Sequence, residues 1–220
     1  MINKQITKKQ LLSIRIVLDR SGSMTYGRDL TIEALNTYLK ELKKDKDINA
    51  SLTLSTFDSL SIDIPISRTP LSKIKSFSKE LLQPRGGTPL FDAIGLAIYD
   101  LENNHDSKDE NKVLVIVTDG LENASKEYTY KEIELKIKEK EDLGWLIIYL
   151  GADHDSFKQS SLINIDRKRS MRYSKRDSVD AFKAVTRTTL EYDKGTRNKD
   201  IFFTNEERMF SNKFGYGEEE

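Results

Sequence analysis

The stretch LLSIRIVLDRSGS, residues 11–23, decides the fold and raises the question of function. Its first eight residues are apolar, many of them β-branched, apart from Ser13 and Arg15, which predicts a strand buried on both faces near its end. The next positions hold a carboxylate and two hydroxyls at alternate positions: Asp19, Ser21 and Ser23. Small oxygen donors at the mouth of a buried strand indicate a binding site there.

The rest of the chain alternates between apolar runs and amphipathic segments. Besides the first strand, strands are predicted over 50–57, 61–66, 112–117, 145–150 and, weakly, 162–165. Helices are predicted over 28–44, 70–82, 90–101, 128–143 and 178–192. This order predicts an α/β fold, a Rossmann-like open and mostly parallel sheet with helices on both faces. We expect strand 112–117 to lie beside 12–18, and 61–66 to pair with 50–57 as one antiparallel edge strand.

Composition excludes several classes of protein. The 220 residues contain 36 basic and 36 acidic side chains, so the overall charge gives no pull toward nucleic acid or anionic membrane. The chain has no Cys and only two His, which excludes disulfides, zinc–thiolate sites and imidazole-rich metal sites. Neither a signal peptide nor an apolar run of about 18 residues is recognised, so we expect a cytoplasmic protein without a membrane span.

The same pass predicts how the chain is divided. A basic N-terminal segment, 1–10, precedes one domain over 11–192, and a polar tail over 193–220 follows it. No internal repeat and no second domain is recognised.

Three segments are expected to deliver oxygen donors to one edge of the sheet, because ligands of such sheets bind beyond the carboxyl ends of the strands. They are DRSGS (19–23), GGT (86–88) and TDG (118–120). Two carboxylates and three hydroxyls without a soft ligand suit a hard divalent ion, and Mg²⁺ is favoured over Ca²⁺ because hydroxyls and water fill a compact octahedron. The donors are Asp19, Ser21, Ser23, Thr88 and Asp119.

Each donor also has a structural interpretation. The serines could form local turn bonds, Thr88 could cap the helix that follows it, and Asp119 could belong to a turn. Two further acids are candidate neighbours of the site. Asp92 falls in the first turn after Thr88, where the helix dipole favours an acid, and Glu122 follows the TDG segment closely. Asp58 is interpreted as an acid of the turn between two strands.

The pattern D-x-S-x-S, a Thr after two glycines and a later T-D-G resembles the metal-ion-dependent adhesion site of von Willebrand factor type A domains. All five positions match, and the order of elements over 11–152, extending to about 190, is similar to that family. The layout resembles prokaryotic and bacteriophage members. The resemblance implies that Ser21 and Ser23 bind Mg²⁺ directly, with Mn²⁺ or Ca²⁺ as alternatives, and that Thr88 joins them in the ligand-competent state. Asp19 and Asp119 would act directly or through water.

The resemblance further implies adhesion or assembly rather than turnover, with an Asp or Glu of a partner protein completing the ion's coordination. A general base, a nucleophile with a His partner and a phosphate-cradling loop are not recognised, so we expect a protein-binding module and no enzyme. Two alternatives remain open. One is a metal-dependent hydrolase or nuclease that uses the same oxygens, and the other is a metal-independent adaptor.

The run Arg167–Arg176 carries six basic residues of ten. Such a density permits contact with nucleic acid. Charged runs are more often solvated or paired with acidic helices, and here the acids of the helix over 128–143, Glu132, Glu134, Glu139 and Glu141, could serve.

Overall fold

A computed structural model describes residues 10–103, 110–152 and 159–213. These residues contain one six-stranded sheet of order β3-β2-β1-β4-β5-β6. The strands are β1 (Leu12–Asp19), β2 (Ala50–Phe57), β3 (Ile62–Pro70), β4 (Asn111–Thr118), β5 (Leu146–Gly151) and β6 (Ser170–Arg172). Both histidines, almost all of the predicted N-terminal segment and the end of the tail lie outside the described residues.

The predicted strand pairing is confirmed. β1 runs parallel to β4, with Leu12 opposite Asn111 and Leu18 opposite Val117, and it runs parallel to β2 on its other side. Among the strands that the structure describes, only β3 is antiparallel, and its pairing with β2 is irregular, with two shifts of register. β1 is central in the sheet and buried throughout. Its carboxyl end lies beside the carboxyl end of the neighbouring β4.

Helices cover both faces of the sheet, as predicted. The helices whose two ends both lie among the described residues are α1 (Arg28–Leu42), α2 (Leu90–Asn103), α3 (Tyr130–Asp142), α4 (Ser178–Asp193) and the short α5 (Asn205–Phe210). α1 and α4 pack on one face, where Tyr38 meets Phe182 edge-on at a ring-centroid distance of 6.0 Å. α2 and α3 pack on the other face. Among the described residues, no helix is long and apolar enough to cross a membrane.

The predicted helix over 70–82 is wrong. Two 3₁₀ turns, Leu71–Lys73 and Lys79–Leu81, flank an extended stretch. Apolar residues recur every three positions, but they anchor the stretch to the core rather than form a helix face. The backbone bonds that a helix would supply are replaced by Asn36 of α1, whose side chain accepts from the amide of Phe77 at 2.7 Å and donates to its carbonyl at 3.0 Å.

The weak strand predicted over 162–165 is also wrong. Residue 162 ends a helical segment, and a turn follows in which Asn164 has a positive φ of 63°. The last strand is β6 instead, which lies within the basic run and pairs with β5 over three residues. Arg169, just before it, is buried and bound to Glu141 of α3 at 2.7 Å. That part of the basic run is therefore paired with an acidic helix.

The segment after α4 packs against the domain. Ile201 and Phe203 are buried in the core on the α1 and α4 face. α5 is tied back to α4 by Arg187, which donates to Glu207 at 2.6 Å. A capping box at Thr204 and Glu207 begins α5. Residues 194–213 thus extend the packed structure.

β1 carries one buried cation. The side chain of Arg15 is wholly buried, and its Nη1 donates to Asp100 of α2 at 2.5 Å. Burial lowers the pKa of Arg15, and the nearby Asp100 opposes that effect. Since Arg15 keeps its charge, Asp100 offsets a charge that the core cannot solvate.

We therefore predict that Asp100→Ala lowers the free energy of unfolding by about 2 kcal/mol, because it removes the charged acceptor of the buried Arg15. The added change Arg15→Met should restore most of the loss. Urea denaturation measures both. The control is Glu134→Ala, which removes an exposed pair with Lys131 and should change stability by less than about 0.5 kcal/mol. Equal losses in Asp100→Ala and the control would contradict the prediction.

Candidate metal centre

The five predicted oxygen donors meet at the carboxyl edge of the sheet. Asp19 is the last residue of β1, and Asp119 follows the last residue of β4. Thr88 reaches the same place from the loop that precedes α2. All of these except Ser23 are buried, and Ser23 is exposed.

Hydrogen bonds connect the donors to one another. The hydroxyls of Ser21 and Ser23 lie 3.0 Å apart, and Ser23 donates to Asp119 Oδ1 at 2.5 Å. Asp19 accepts from the Ser21 amide at 2.7 Å and from the Thr118 hydroxyl at 2.6 Å. Thr118, the residue before Asp119, therefore holds the carboxylate of Asp19 in place at the end of β1. This role of Thr118 was not foreseen, although it stands in the quoted motif.

Gly120 marks the space that the donors surround. A Cβ built on it would lie 2.9 Å from Thr88 Oγ1, 3.5 Å from Ser23 Oγ and 3.7 Å from Asp19 Oδ2. Three of the five donor residues thus direct an oxygen toward one small volume that any larger residue at 120 would fill. Thr88 is not needed as a helix cap, because the first amides of α2 donate to the side chains of Glu122 and Ser125.

The two carboxylates of the site lie where negative charge is poorly solvated. The pKa of Asp19 is raised to about 6: burial raises it most, hydrogen bonds from Thr118 and Ser21 oppose that effect in part, and the neighbouring Asp119 adds to it. Two carboxylates and three hydroxyls therefore lie together where ionised Asp19 is poorly solvated. A hard cation suits this donor set, since it would offset the charge and accept neutral oxygens as ligands. Among the described residues, no cluster of three or more acidic or imidazole side chains offers a different metal site.

A cation of the protein itself touches the site. Lys175, in the turn before α4, donates to Asp119 Oδ2 at 2.5 Å and to the carbonyl of Ser23 at 3.0 Å. The basic run was the signal for this residue, but the run was interpreted as solvated or paired with the acids of the helix over 128–143, with nucleic acid as the alternative, and not as a contact with Asp119, 56 positions away.

The two candidate neighbours, Asp92 and Glu122, bind backbone around the site. Asp92 accepts from three consecutive amides of the loop before α3, residues 126–128, at 2.8 to 2.9 Å. Glu122 accepts from the amides of Phe91, Ala124 and Ser125 at 2.7 to 2.9 Å, and also from the Ser125 hydroxyl. Together they fasten the loop after β4 to the start of α2, which places Thr88 opposite Gly120.

Asp58 fastens the other loops. It accepts from the amides of its own turn, as predicted, and also from Arg20 Nε at 2.7 Å and Arg85 Nε at 2.9 Å. Arg20 belongs to the DRSGS loop and Arg85 to the loop with two glycines. These loops also bond directly, from the Gly22 amide to the Gly86 carbonyl at 3.1 Å. The signal in the sequence was two arginines, one within the DRSGS segment and one directly before the GGT segment.

Residues 14–122 match the family model of the von Willebrand factor type A domain, and this stretch contains all five donors. No curated protein matches the sequence significantly. The chain thus has a recognised segment that covers slightly less than half of its length.

Solved structures resemble the fold over most of this chain. The von Willebrand factor domain of the type V pili tip protein from Porphyromonas gingivalis has a TM-score of 0.66 and 12% identity, with 84% of this chain and 97% of that chain covered. The pilus adhesin SpaC from Lactobacillus rhamnosus GG gives 0.64 and 15%, over 86% and 31%. Manganese-loaded TRAP protein from Plasmodium vivax gives 0.56 and 16%, over 78% and 71%. The fold is therefore that of a von Willebrand factor type A domain.

Asp58 provides a test of loop anchoring. Burial would raise its pKa, but hydrogen bonds from Arg85, from the amides of Leu60 and Ser61 and from Arg20 hold the pKa below its ordinary value. We predict that Asp58→Asn costs about 2 kcal/mol of unfolding free energy at pH 7, because the buried Arg20 and the more exposed Arg85 both lose a charged acceptor. A depressed pKa stabilises the fold above the unfolded pKa, and this contribution is lost as the pH falls through the folded pKa.

Urea denaturation at pH 7 and at decreasing pH measures this difference. The gap between wild type and Asp58→Asn should narrow on acidification. Asp63→Asn is the matched control, because Asp63 binds the same Arg20 while half exposed, and its effect should be smaller. A gap that stays constant down to the lowest pH at which the protein folds would contradict the assignment.

Proposed function

We propose that this chain is a von Willebrand factor type A protein that binds a partner protein through a divalent ion. Asp19, Ser21, Ser23, Thr88 and Asp119 would hold the ion, with Mg²⁺ as the favoured species. The observation that carries the proposal is the convergence of donors from three distant segments around Gly120. The resemblance of the fold to two pilus proteins, one of them named an adhesin, supports a role in adhesion or assembly.

When bound, the ion would supply a Lewis-acidic site for an oxygen ligand from outside. The chain's own residues prepare that site. Ser21 and Ser23 offer neutral hydroxyls, which leave most of the ion's charge available to an incoming carboxylate. Asp19 and Asp119 accept hydrogen bonds that orient Ser21, Ser23 and Thr118. A desolvated charged contact of this kind dominates binding energy at an interface.

The surface around the donors suits a protein partner. Three large apolar side chains project from the surrounding loops: Tyr26 is 64% exposed, Leu60 71% and Leu121 47%. Tyr26 follows the DRSGS loop, Leu60 neighbours the loop with two glycines, and Leu121 follows Gly120. Exposed aromatic and aliphatic side chains beside a polar contact are typical of the part of a protein surface that becomes the core of an interface, whose outer rim is polar. The partner we propose thus presents an Asp or Glu flanked by apolar residues.

The first test removes ion ligands. The double variant Ser21→Ala with Ser23→Ala should abolish Mg²⁺ binding in calorimetry and the Mg²⁺-dependent rise in melting temperature, while the fold remains. Ser72→Ala with Ser76→Ala is a matched control, since both serines are exposed and outside the site. Gly120→Ala should also abolish binding, because its Cβ would fill the space between the oxygens. Equal Mg²⁺ affinity in wild type and the double serine variant would refute the proposed ligands.

The second test separates ion binding from partner binding. Thr88→Ala should weaken partner binding more than it weakens Mg²⁺ binding, because the threonine hydroxyl contributes mainly to the ligand-competent state. A ligand can shift such an equilibrium only by its difference in affinity for the two states. A partner recovered by pull-down in Mg²⁺ but not in EDTA would be titrated against both proteins. If Thr88→Ala loses Mg²⁺ as completely as the double serine variant, the site is a fixed cage and the two-state model fails.

The proposal includes a non-enzymatic role. Incubation of the Mg²⁺-loaded protein with nucleic acids and phosphoesters should give no turnover above that of the double serine variant. Turnover that the double serine variant lacks would favour the metal-dependent hydrolase instead.

A further inference from the structure

Lys175 is the one residue of the basic run whose ammonium touches the proposed metal ligands among the described contacts. Its Nζ lies 2.5 Å from Asp119 Oδ2, 3.0 Å from the Ser23 carbonyl and 5.7 Å from the centre of the Tyr26 ring. The side chain is only 16% exposed and the carboxylate of Asp119 only 3%. The ammonium is therefore held by an anion, a carbonyl and an aromatic face, and is largely shielded from water.

The neighbouring loop leaves room for the aliphatic part of the Lys175 side chain. Gly27, the residue before α1, has a φ of +90°, and a Cβ on it would lie 2.7 Å from Lys175 Cδ and 3.0 Å from Lys175 Cβ. Gly27 thus both adopts a left-handed conformation and leaves room for the aliphatic stem. This fit distinguishes Lys175 from a surface lysine that meets an acid by chance.

Both oxygens of Asp119 are engaged. Oδ1 accepts from Ser23 and Oδ2 from Lys175. The lysine charge therefore offsets part of the negative charge that would attract a divalent ion. Two cations that share one carboxylate repel each other strongly where water is excluded.

We propose that Lys175 is a tethered competitor of the divalent ion. Its ammonium stabilises Asp119 in the ion-free protein, and ion binding displaces or weakens that contact. The inference rests on the proposed function, because it concerns the same site, and it adds a residue that sets the affinity for the ion. The turn that carries Lys175 leads directly into α4, so the competition links ion binding to the segment before that helix.

The experiment measures Mg²⁺ affinity by calorimetry at fixed pH and ionic strength. Lys175→Met removes the charge and keeps an aliphatic stem, and it should tighten Mg²⁺ binding at least about tenfold. Lys175→Arg keeps the charge and should leave the affinity near that of wild type. Lys183→Met is the control, since Lys183 is exposed on α4 and paired with Asp180 away from the site. Unchanged or weaker Mg²⁺ binding in Lys175→Met would overturn the inference.

A second measurement uses the unaltered protein, so it does not depend on how a variant folds. Acetic anhydride labels lysine amines, and peptide mass spectrometry reports the rate at each position. Labelling of Lys175 should be slow without Mg²⁺ and at least about threefold faster with it, because release from Asp119 exposes the amine. Labelling of Lys183 should stay constant. An equal rate at Lys175 with and without Mg²⁺ would also overturn the inference.

The outcomes separate this inference from the proposed function. If wild type and Lys175→Met bind Mg²⁺ equally, the metal site stands and the competition is refuted. If neither binds Mg²⁺, both proposals are refuted. If only Lys175→Met binds it, the competition is supported in its strongest form.

Discussion

The arrangement of this site depends on two carboxylates, Asp19 and Asp119, that parallel strands bring together at a buried edge. β1 and β4 are neighbouring strands that end at the same level. Asp19, at the end of β1, and Asp119, directly after β4, therefore lie close together. Each carboxylate is surrounded by donors, and the pKa of Asp19 is nonetheless raised. The two carboxylates carry negative charge that is poorly solvated at this buried edge. This charge explains why small hydroxyls, a lysine and a space at Gly120 all occur beside them. A cation, whether a metal or the chain's own ammonium, is the simplest way to offset that charge.

A second group of carboxylates holds the loops that carry these donors. Asp58, Asp92 and Glu122 each accept several hydrogen bonds from backbone amides or arginines. Because loops lack the regular bonds of helices and strands, their amides need such acceptors when they are buried. These three acids therefore serve as anchors of the loops, while the proposed metal ligands face the central space.

Much of the fold and of the candidate site could be predicted from the sequence, because for most segments the local residue pattern agrees with the role of the segment in the structure. The strand over 50–57 and the convergence of three motif segments follow from burial periodicity and the rule for sheet edges. The failures come from side chains that act at a distance. Apolar spacing in the segment after β3 is typical of a helix, yet Asn36 of α1 supplies its backbone bonds. The contact of Lys175 with Asp119 could not be predicted, because the charge density of the basic run does not indicate which of its residues points inward.

The irregular edge strand β3 has a consequence for how another protein can approach. Pro65 lies within this strand and has no amide hydrogen to donate, and the register with β2 shifts twice. The opposite edge, β6, is only three residues long. Neither edge offers the straight row of amides and carbonyls that an added strand requires, which protects the sheet against edge-to-edge aggregation. Recognition by addition of a partner strand to either edge of the described sheet is thereby disfavoured.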